Sequence, residues 1–374
     1  MKPEKADWLG YTWRYFKAGL QSKVFVQKPI FLTVFVTARC GLNCGHCFYR
    51  EELLNGDIHS ELKLEEFRLF TERSPPFPKL IITGGEPFLR KDLADIVELF
   101  YHNRSSARQI TIPTAGQHED DIVGLTERVL ASCPELILEL QLSIDGIGNA
   151  HNTIRGKGQF ERLMSTYKRL RPIQDLNQRL RLRFNFTFSA QTQDHFAETY
   201  DYVTQTLLNP HFDMVLVRRA TIDPAYFVPA DMEKYRTAAK LLQDAERKKA
   251  EGVLQTLLAE RALVEREIIA DHYLNDLKMS GCQAGTLTAI LSETGELRPC
   301  EILDTTFGNI RDHDYSIRKL WKSLQAEQHR HEIQSSQCFC TFETSVRTTM
   351  VFQPKWLAKS VKNALGRFRA QEIQ

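Results

Sequence analysis

Cys40, Cys44 and Cys47 stand three and two residues apart in the run Thr37-Ala-Arg-Cys-Gly-Leu-Asn-Cys-Gly-His-Cys-Phe-Tyr49, directly after an apolar stretch over 31–36. A loop this short can aim three thiolates at one centre. A structural zinc ion takes four protein ligands, and no fourth Cys or well-placed His closes this set. His46 lies between two of the cysteines, so its ring is expected to point away from the metal. Three thiolates on a cubane iron–sulfur cluster leave one iron open, and an open iron is a place for chemistry. A partial zinc site and three unrelated thiols are the alternatives.

The elements that must position such a loop are legible as an alternation. Strand-like apolar runs occur at 30–36, 80–83, 109–114, 136–143, 180–188 and 212–217, with helical patterns at 62–72, 93–102, 121–130, 160–170 and 195–207 between them. Alternation of this kind implies parallel strands joined by right-handed crossovers. Six units make three-quarters of a barrel, an α/β fold in which chemistry gathers where strands end and loops begin. The unusual residues fall there. After the second strand comes Thr83-Gly-Gly-Glu-Pro87, where Gly84 and Gly85 allow close backbone approach beside the carboxylate of Glu86. The third strand ends Ile112-Pro-Thr-Ala-Gly116, and the fourth ends Leu142-Ser-Ile-Asp-Gly146, followed by His151-Asn-Thr-Ile-Arg-Gly156. Asn185, inside the fifth strand, should face the barrel interior if Phe184 and Phe186 face the helices.

The cysteine triplet resembles the signature of the radical S-adenosylmethionine (SAM) enzymes, and Gly84-Gly-Glu-Pro87 resembles their GGEP motif. The resemblance covers roughly residues 30–220 and implies a partial (β/α)6 barrel. In that family the open iron of a [4Fe–4S] cluster chelates the amino and carboxylate groups of SAM. An electron from the cluster cleaves SAM to methionine and a 5′-deoxyadenosyl radical, which abstracts a substrate hydrogen. The resemblance places His46 near the adenine and Gly84, Gly85, Glu86 and Pro87 at the SAM amino group. Thr114 matches a Thr-Asn-Gly-like turn from which Ala115 departs. Ser143 is the expected ribose or carboxylate contact, Arg155 a carboxylate clamp and Asn185 a further SAM contact. Asp145 is either an anchor behind the site or a proton acceptor near the substrate. An electron donor such as flavodoxin or ferredoxin is implied.

Four further cysteines, Cys282, Cys300, Cys338 and Cys340, fit a closed four-thiolate site. Residues 286–291 alternate like a strand, Glu293-Thr-Gly295 turns, and 296–300 returns, so a small hairpin carries a cysteine near each end. A helical stretch at 317–328 leads on to Cys338. Taken alone this is a zinc site or a cluster. The hairpin resembles the start of the SPASM extension of radical SAM enzymes, or its shorter twitch version, and implies a second, auxiliary [4Fe–4S] cluster. Thr344 stands where related tails carry another cysteine, so one auxiliary cluster is the most these thiolates can hold. Cys133, before Pro134, reads as a lone packing thiol.

The domains expected are an N-terminal helical segment over 1–29, the barrel over 30–220, a helical bridge over 221–280, the cysteine-rich extension over 281–345, and a basic tail over 346–374. The charges of the bridge read as a solvated face. A net charge of +2 over 374 residues argues against a dedicated nucleic-acid binder. No apolar run reaches the roughly 18 residues of a membrane span. No signal-peptide core follows Met1-Lys-Pro-Glu-Lys-Ala-Asp, so the eight cysteines read as thiols of a reducing cytoplasm, seven of them ligands, rather than as disulfides. Lys355, Lys359, Lys362, Arg367 and Arg369, with Leu357, Val361, Leu365 and Phe368 at helical spacing, make a basic amphipathic helix. Its apolar side packs on the protein itself or touches an anionic membrane surface. The substrate, whether peptide, sugar or another small molecule, is not named by these residues. The reading from a different class is a non-catalytic iron–sulfur or zinc scaffold. Intact SAM-motif residues argue against it, because a scaffold needs no open iron.

Overall fold

Short apolar strands covered on both faces pair in parallel when each is followed by a helix long enough to return the chain. Here β1 (Phe31–Phe35), β2 (Lys79–Thr83), β3 (Gln109–Thr114), β4 (Ile137–Ser143), β5 (Leu180–Phe188) and β6 (Phe212–Leu216) pair in sequence order, every pair parallel. The crossover helices are α1 (Leu64–Arg73), α2 (Leu93–His102), α3 (Glu119–Ser132), α4 (Gln159–Leu176) and α5 (Phe196–Asp201). This computed structural model describes residues 17, 20, 28–103, 105, 107–218, 228–275, 277, 279, 281–335 and 340–372. The helix expected within 1–29 and Cys338 therefore fall outside the described residues. Among the described residues no helix is long and apolar enough to cross a membrane.

The expected strands are all present. Along β5 buried and half-buried residues alternate. Phe184 packs on Tyr167 of α4 with ring centroids 5.0 Å apart, and Phe186 on Phe196 of α5 at 5.3 Å. Asn185 therefore faces away from the helices. The helix expected over 195–207 differs: it is α-helical to Asp201 and closes in a π-turn, Tyr202–Thr206. The single helix expected over 317–328 is two, Ile317–Trp321 and Leu324–Ser335. Cys133 is fully buried in the main core.

The hairpin of the cysteine-rich extension does not form a sheet of its own. Its first strand, β7 (Thr288–Leu291), lies parallel to β1, and β8 (Leu297–Arg298) lies antiparallel to β7. One sheet of order β6-β5-β4-β3-β2-β1-β7-β8 results. A two-stranded ribbon is barely stable alone, and the free edge of β1 supplies the missing neighbour.

The helical bridge, α6 (Met232–Lys249) and α7 (Gly252–Asn275), is an antiparallel pair, with Arg247 on Glu260 at 2.7 Å and Arg236 on Asp271 at 3.0 Å. The bridge carries exposed charges, among them Glu233, Lys234, Lys240, Asp244 and Lys248, as a solvated face requires, but three charges of α7 depart from that expectation. Glu260, Glu265 and Arg266 are buried. Arg266 reaches Glu246 at 3.0 Å and Asp213 of β6 at 3.3 Å. Glu265 pairs with Arg347 of α8 (Glu343–Met350) at 2.8 Å. Glu343 in turn accepts the Leu216 N–H of β6 at 3.0 Å, covering a backbone donor on the exposed edge of the sheet. In α9 (Pro354–Glu372) the protein itself takes up Ser360 and Ala364, while Leu357, Val361 and Leu365 stay exposed.

Glu66 of α1 docks the extension against the barrel. Its carboxylate receives the Arg311 Nε at 2.6 Å and Nη2 at 3.0 Å, and the Tyr315 hydroxyl at 3.1 Å. The Arg311 hydrogen bonds hold its pKa down to about 2, against 4.5 ordinarily. A depressed carboxyl pKa stabilises the fold above the unfolded value, and the contribution is lost as pH falls through the folded one. Acid melting should therefore remove at most about 3 kcal/mol between about pH 4.5 and 2 through this group. Glu66→Gln should flatten that part of the stability–pH curve, and an unchanged curve would count against the pairing.

Candidate functional site

The triplet loop starts where β1 ends, and its backbone is tied down before the first cysteine. Arg90 Nη1 donates to the Val36 carbonyl at 2.8 Å. Glu61, nearly buried, accepts the Thr37 hydroxyl at 2.7 Å and the Ala38 N–H at 2.9 Å. The Gly85 and Glu86 N–H groups donate to the Thr37 and Arg39 carbonyls at 2.9 and 2.8 Å, extending the β1–β2 pairing into the loop. A β-carbon at Gly84 would land on the Thr37 carbonyl oxygen, and one at Gly85 on that of Arg39. The two glycines are thus required by backbone approach, as the sequence predicts. Beyond the cysteines, Tyr49 packs on Phe35 with ring centroids 4.7 Å apart, and its hydroxyl bonds Glu293 in the β7–β8 turn.

The three thiols are close enough to feel one another's charge. Burial pushes the Cys40 thiol up to about 11, with Glu86, Cys44 and Cys47 adding to it. Burial also raises Cys44 and Cys47, against which the Arg155 guanidinium acts. Thiols held this way are poor free nucleophiles, but a coordinating metal deprotonates them outright. The Leu42 N–H points at the Cys40 sulfur at 3.4 Å. The same contact from the second residue onward recurs at Cys282 (Ala284 N–H, 3.5 Å) and at Cys300 (Ile302 N–H, 3.4 Å). This shared turn presents a sulfur with a donor behind it, which suits a thiolate ligand. Among the described residues no three His, Cys, Asp or Glu side chains close on one point as for a single ion.

Asp145, His46, His151 and Arg155 form one buried cluster beyond β4. Arg155 Nε meets Asp145 Oδ2 at 2.6 Å, the Thr187 N–H donates to Oδ1 at 2.9 Å, and His46 Nε2 stands 3.6 Å from Oδ2. Burial alone would raise the Asp145 carboxyl; Arg155, His46 and the Thr187 N–H outweigh it and hold it below the usual carboxylate range. A fully buried, occupied carboxylate of low pKa is a poor proton acceptor. Of the two roles the sequence leaves open for Asp145, the geometry supports the anchor. Arg155, expected as a clamp on a ligand carboxylate, has its Nε on Asp145. His151 Nδ1 accepts the Asp145 N–H at 3.1 Å, and burial lowers its pKa to about 4, so the ring is neutral.

Glu86 is likewise engaged. It accepts the Thr114 hydroxyl at 2.9 Å, the Ala115 N–H at 3.0 Å and the Phe88 N–H at 3.3 Å, bracing the ends of β2 and β3. Thr114 belongs to that brace, its oxygen also accepting the Gly116 N–H at 3.0 Å, and Pro87 starts the short turn Pro87–Leu89. Ser143, the last residue of β4, lies opposite Asn185, within β5. Asn185 Oδ1 and His46 Nδ1 are buried with no hydrogen-bond partner among the described residues. An unpaired buried polar atom costs on the order of 1–3 kcal/mol, so His46 Nδ1 within the loop fits a polar ligand there. With three thiols and a backbone cradle that admits no side chain, the donor set fits a cluster carrying SAM.

In the extension, Cys282 precedes β7, Cys300 lies two residues beyond β8, and Cys340 lies ahead of α8. Cys338 is outside the described residues. The sequence reading missed Glu61 and Arg90, which hold the start of the triplet loop. Their signal was slight: a charged residue that must be buried to reach a loop backbone has no fixed spacing from it.

Six parallel strands with three thiols and a glycine cradle at their carboxyl ends make an α/β fold whose donor set is of the kind that holds a cluster. The profile of the radical SAM superfamily matches residues 34–202. That segment is a radical SAM domain, and the protein is a radical SAM enzyme. Enzymes of the superfamily bind a [4Fe–4S] cluster and SAM. The chain is 25% identical over 300 residues to an AdoMet-dependent heme synthase of Methanosarcina barkeri, covering 78% of this chain and 81% of that protein. Its fold is similar to that of anSMEcpe with bound AdoMet, at a TM-score of 0.59 and 15% identity over 92% of this chain and 98% of the other. It is also similar to Streptococcus suis SuiB bound to the precursor peptide SuiA, at a TM-score of 0.58 and 16% identity over 86% and 70%.

Proposed function

We propose that Cys40, Cys44 and Cys47 hold a [4Fe–4S] cluster, and that the protein uses SAM bound there to take a hydrogen atom from an organic substrate in a net two-electron oxidation. When bound, the cluster and SAM supply a carbon radical strong enough to break an unactivated C–H bond. The observation that carries the reading is the triplet loop, its backbone tied to the Gly84–Gly85 cradle, within which His46 Nδ1 is buried with no partner among the described residues. Ser143 and Asn185 orient the ribose or carboxylate of SAM, and His46 lies along the adenine. Glu86, Thr114 and Pro87 keep the cradle in place. Asp145 and Arg155 fix each other and His46. A flavodoxin or ferredoxin is the proposed electron donor.

In the same reading Cys282, Cys300, Cys338 and Cys340 hold one auxiliary [4Fe–4S] cluster. Four protein thiolates leave no iron open, so this centre takes an electron from the substrate radical or relays one, without coordinating substrate. The proton released in that oxidation goes to a group other than Asp145, whose oxygens are occupied. The heme synthase relative, matched over four-fifths of its length, makes a heme-type tetrapyrrole the first substrate class to test, with a peptide second.

Two measurements test this reading. A Cys40→Ala/Cys44→Ala/Cys47→Ala variant purified anaerobically should keep about four irons and four sulfides per chain, those of one cubane. Zinc without iron there would make the extension purely structural. With deuterated substrate, deuterium should enter 5′-deoxyadenosine, one equivalent per oxidised product. A product at the oxidation level of the substrate would refute the oxidation while leaving SAM cleavage intact.

A further inference from the structure

Arg218 lies two residues beyond the carboxyl end of β6. Its guanidinium carbon is 3.9 Å from the centroid of the Phe48 ring and 4.5 Å from that of Phe342. Its Nη1 pairs with the Glu301 carboxylate, and the side chains of Arg218 and Glu301 are only 16% and 7% exposed. Each partner adjoins a cysteine. Phe48 follows Cys47 of the triplet, Glu301 follows Cys300, and Phe342 lies two residues after Cys340. One planar cation thus touches the segments that carry the triplet and two of the extension cysteines. A planar guanidinium can stack on a ring while donating at its edge, and an ammonium cannot.

We propose that Arg218 is the positioning residue that couples the two cysteine sites, holding the triplet loop against the extension and setting a fixed charge between them. The electrostatic half rests on the proposed metal centres; the mechanical half does not. Adding an electron to either centre makes it more negative, so a nearby cation favours the reduced form and a nearby carboxylate opposes it. Arg218 and Glu301 therefore act with opposite signs on the same two centres.

The test uses the full chain purified anaerobically with its metals. Iron and sulfide counts first establish loading, and EPR-monitored titration then reads the midpoint potential of each centre. Arg218→Met should lower both midpoints and Glu301→Gln should raise both. Arg218→Met/Glu301→Gln should return both towards wild type, and it also covers the case in which Glu301, buried and unpaired, prevents Arg218→Met from folding. Arg218→Lys should keep the sign of the charge but lose the stacking. If the extension holds zinc, the same pattern is read at the triplet centre alone. In metal-free protein, Phe48→Leu should cost less melting temperature in an Arg218→Met/Glu301→Gln background than in wild type. Midpoints that stay put, together with additive melting losses, would overturn the proposal.

Discussion

Replacing Cys40, Cys44 and Cys47 together with alanine is expected to bring SAM cleavage down to the background of enzyme-free controls, and to remove about four irons per chain, the content of one cubane. The physical reason lies in the donor set. The loop offers three sulfurs on a backbone anchored by Glu61, Arg90 and the Gly85 N–H. No other residue of the run from Thr37 to Tyr49 carries a thiol. The fold should survive, because Cys40 and Cys47 are only partly buried and the anchors lie upstream of them. Unchanged deoxyadenosine formation in a folded variant would remove the triplet from the mechanism.

The second large effect is expected at Arg155. Its partner Asp145 is fully buried, and Arg155→Met leaves that carboxylate with the Thr187 N–H, His46 and His151 but no permanent cation among its described partners. Breaking one side of a buried ion pair costs on the order of 3–5 kcal/mol, most of it from the stranded charge. Arg155→Met should therefore melt well below the wild type. Arg155→Met/Asp145→Asn should recover much of the loss, because a neutral amide can still accept the Thr187 N–H. Recovered melting without recovered SAM cleavage would show that the Arg155 charge also serves Cys44 and Cys47, against whose burial it acts. Equal losses in the single and double variants would mean that packing, not the pair, is what Arg155 supplies.

How much of this was legible in the sequence differs from residue to residue. The inward side of β5 was, because Phe184, Phe186 and Phe188 alternate with polar residues and a strand has a period of two. The glycine cradle was as well, since adjacent glycines before a carboxylate at a strand end have a local reason to exist. The union of β7 with β1 was not. Which strand takes a free edge is decided by a pairing more than 250 residues away in the chain, and the hairpin's own pattern is satisfied by any neighbour. The buried charges of α7 were misread for a related reason. Glu260, Glu265 and Arg266 look solvated until Arg247, Arg347 and Asp213 arrive from three other elements. Asp145 shows the limit at the site itself. A strand-end Asp-Gly reads equally as an acid–base group or an anchor, and the partners that favour the anchor, Arg155 and Thr187, arrive from elsewhere in the chain.

The most direct test of the central claim is to reconstitute the wild-type chain anaerobically with iron and sulfide, reduce it with dithionite, add SAM and measure 5′-deoxyadenosine and methionine. Both should form in equal amounts, even without substrate, and neither should form when dithionite is omitted. A protein that takes up its iron and binds SAM yet yields no deoxyadenosine would instead be a cluster-bearing scaffold, and that result would contradict the radical chemistry assigned to Cys40, Cys44 and Cys47.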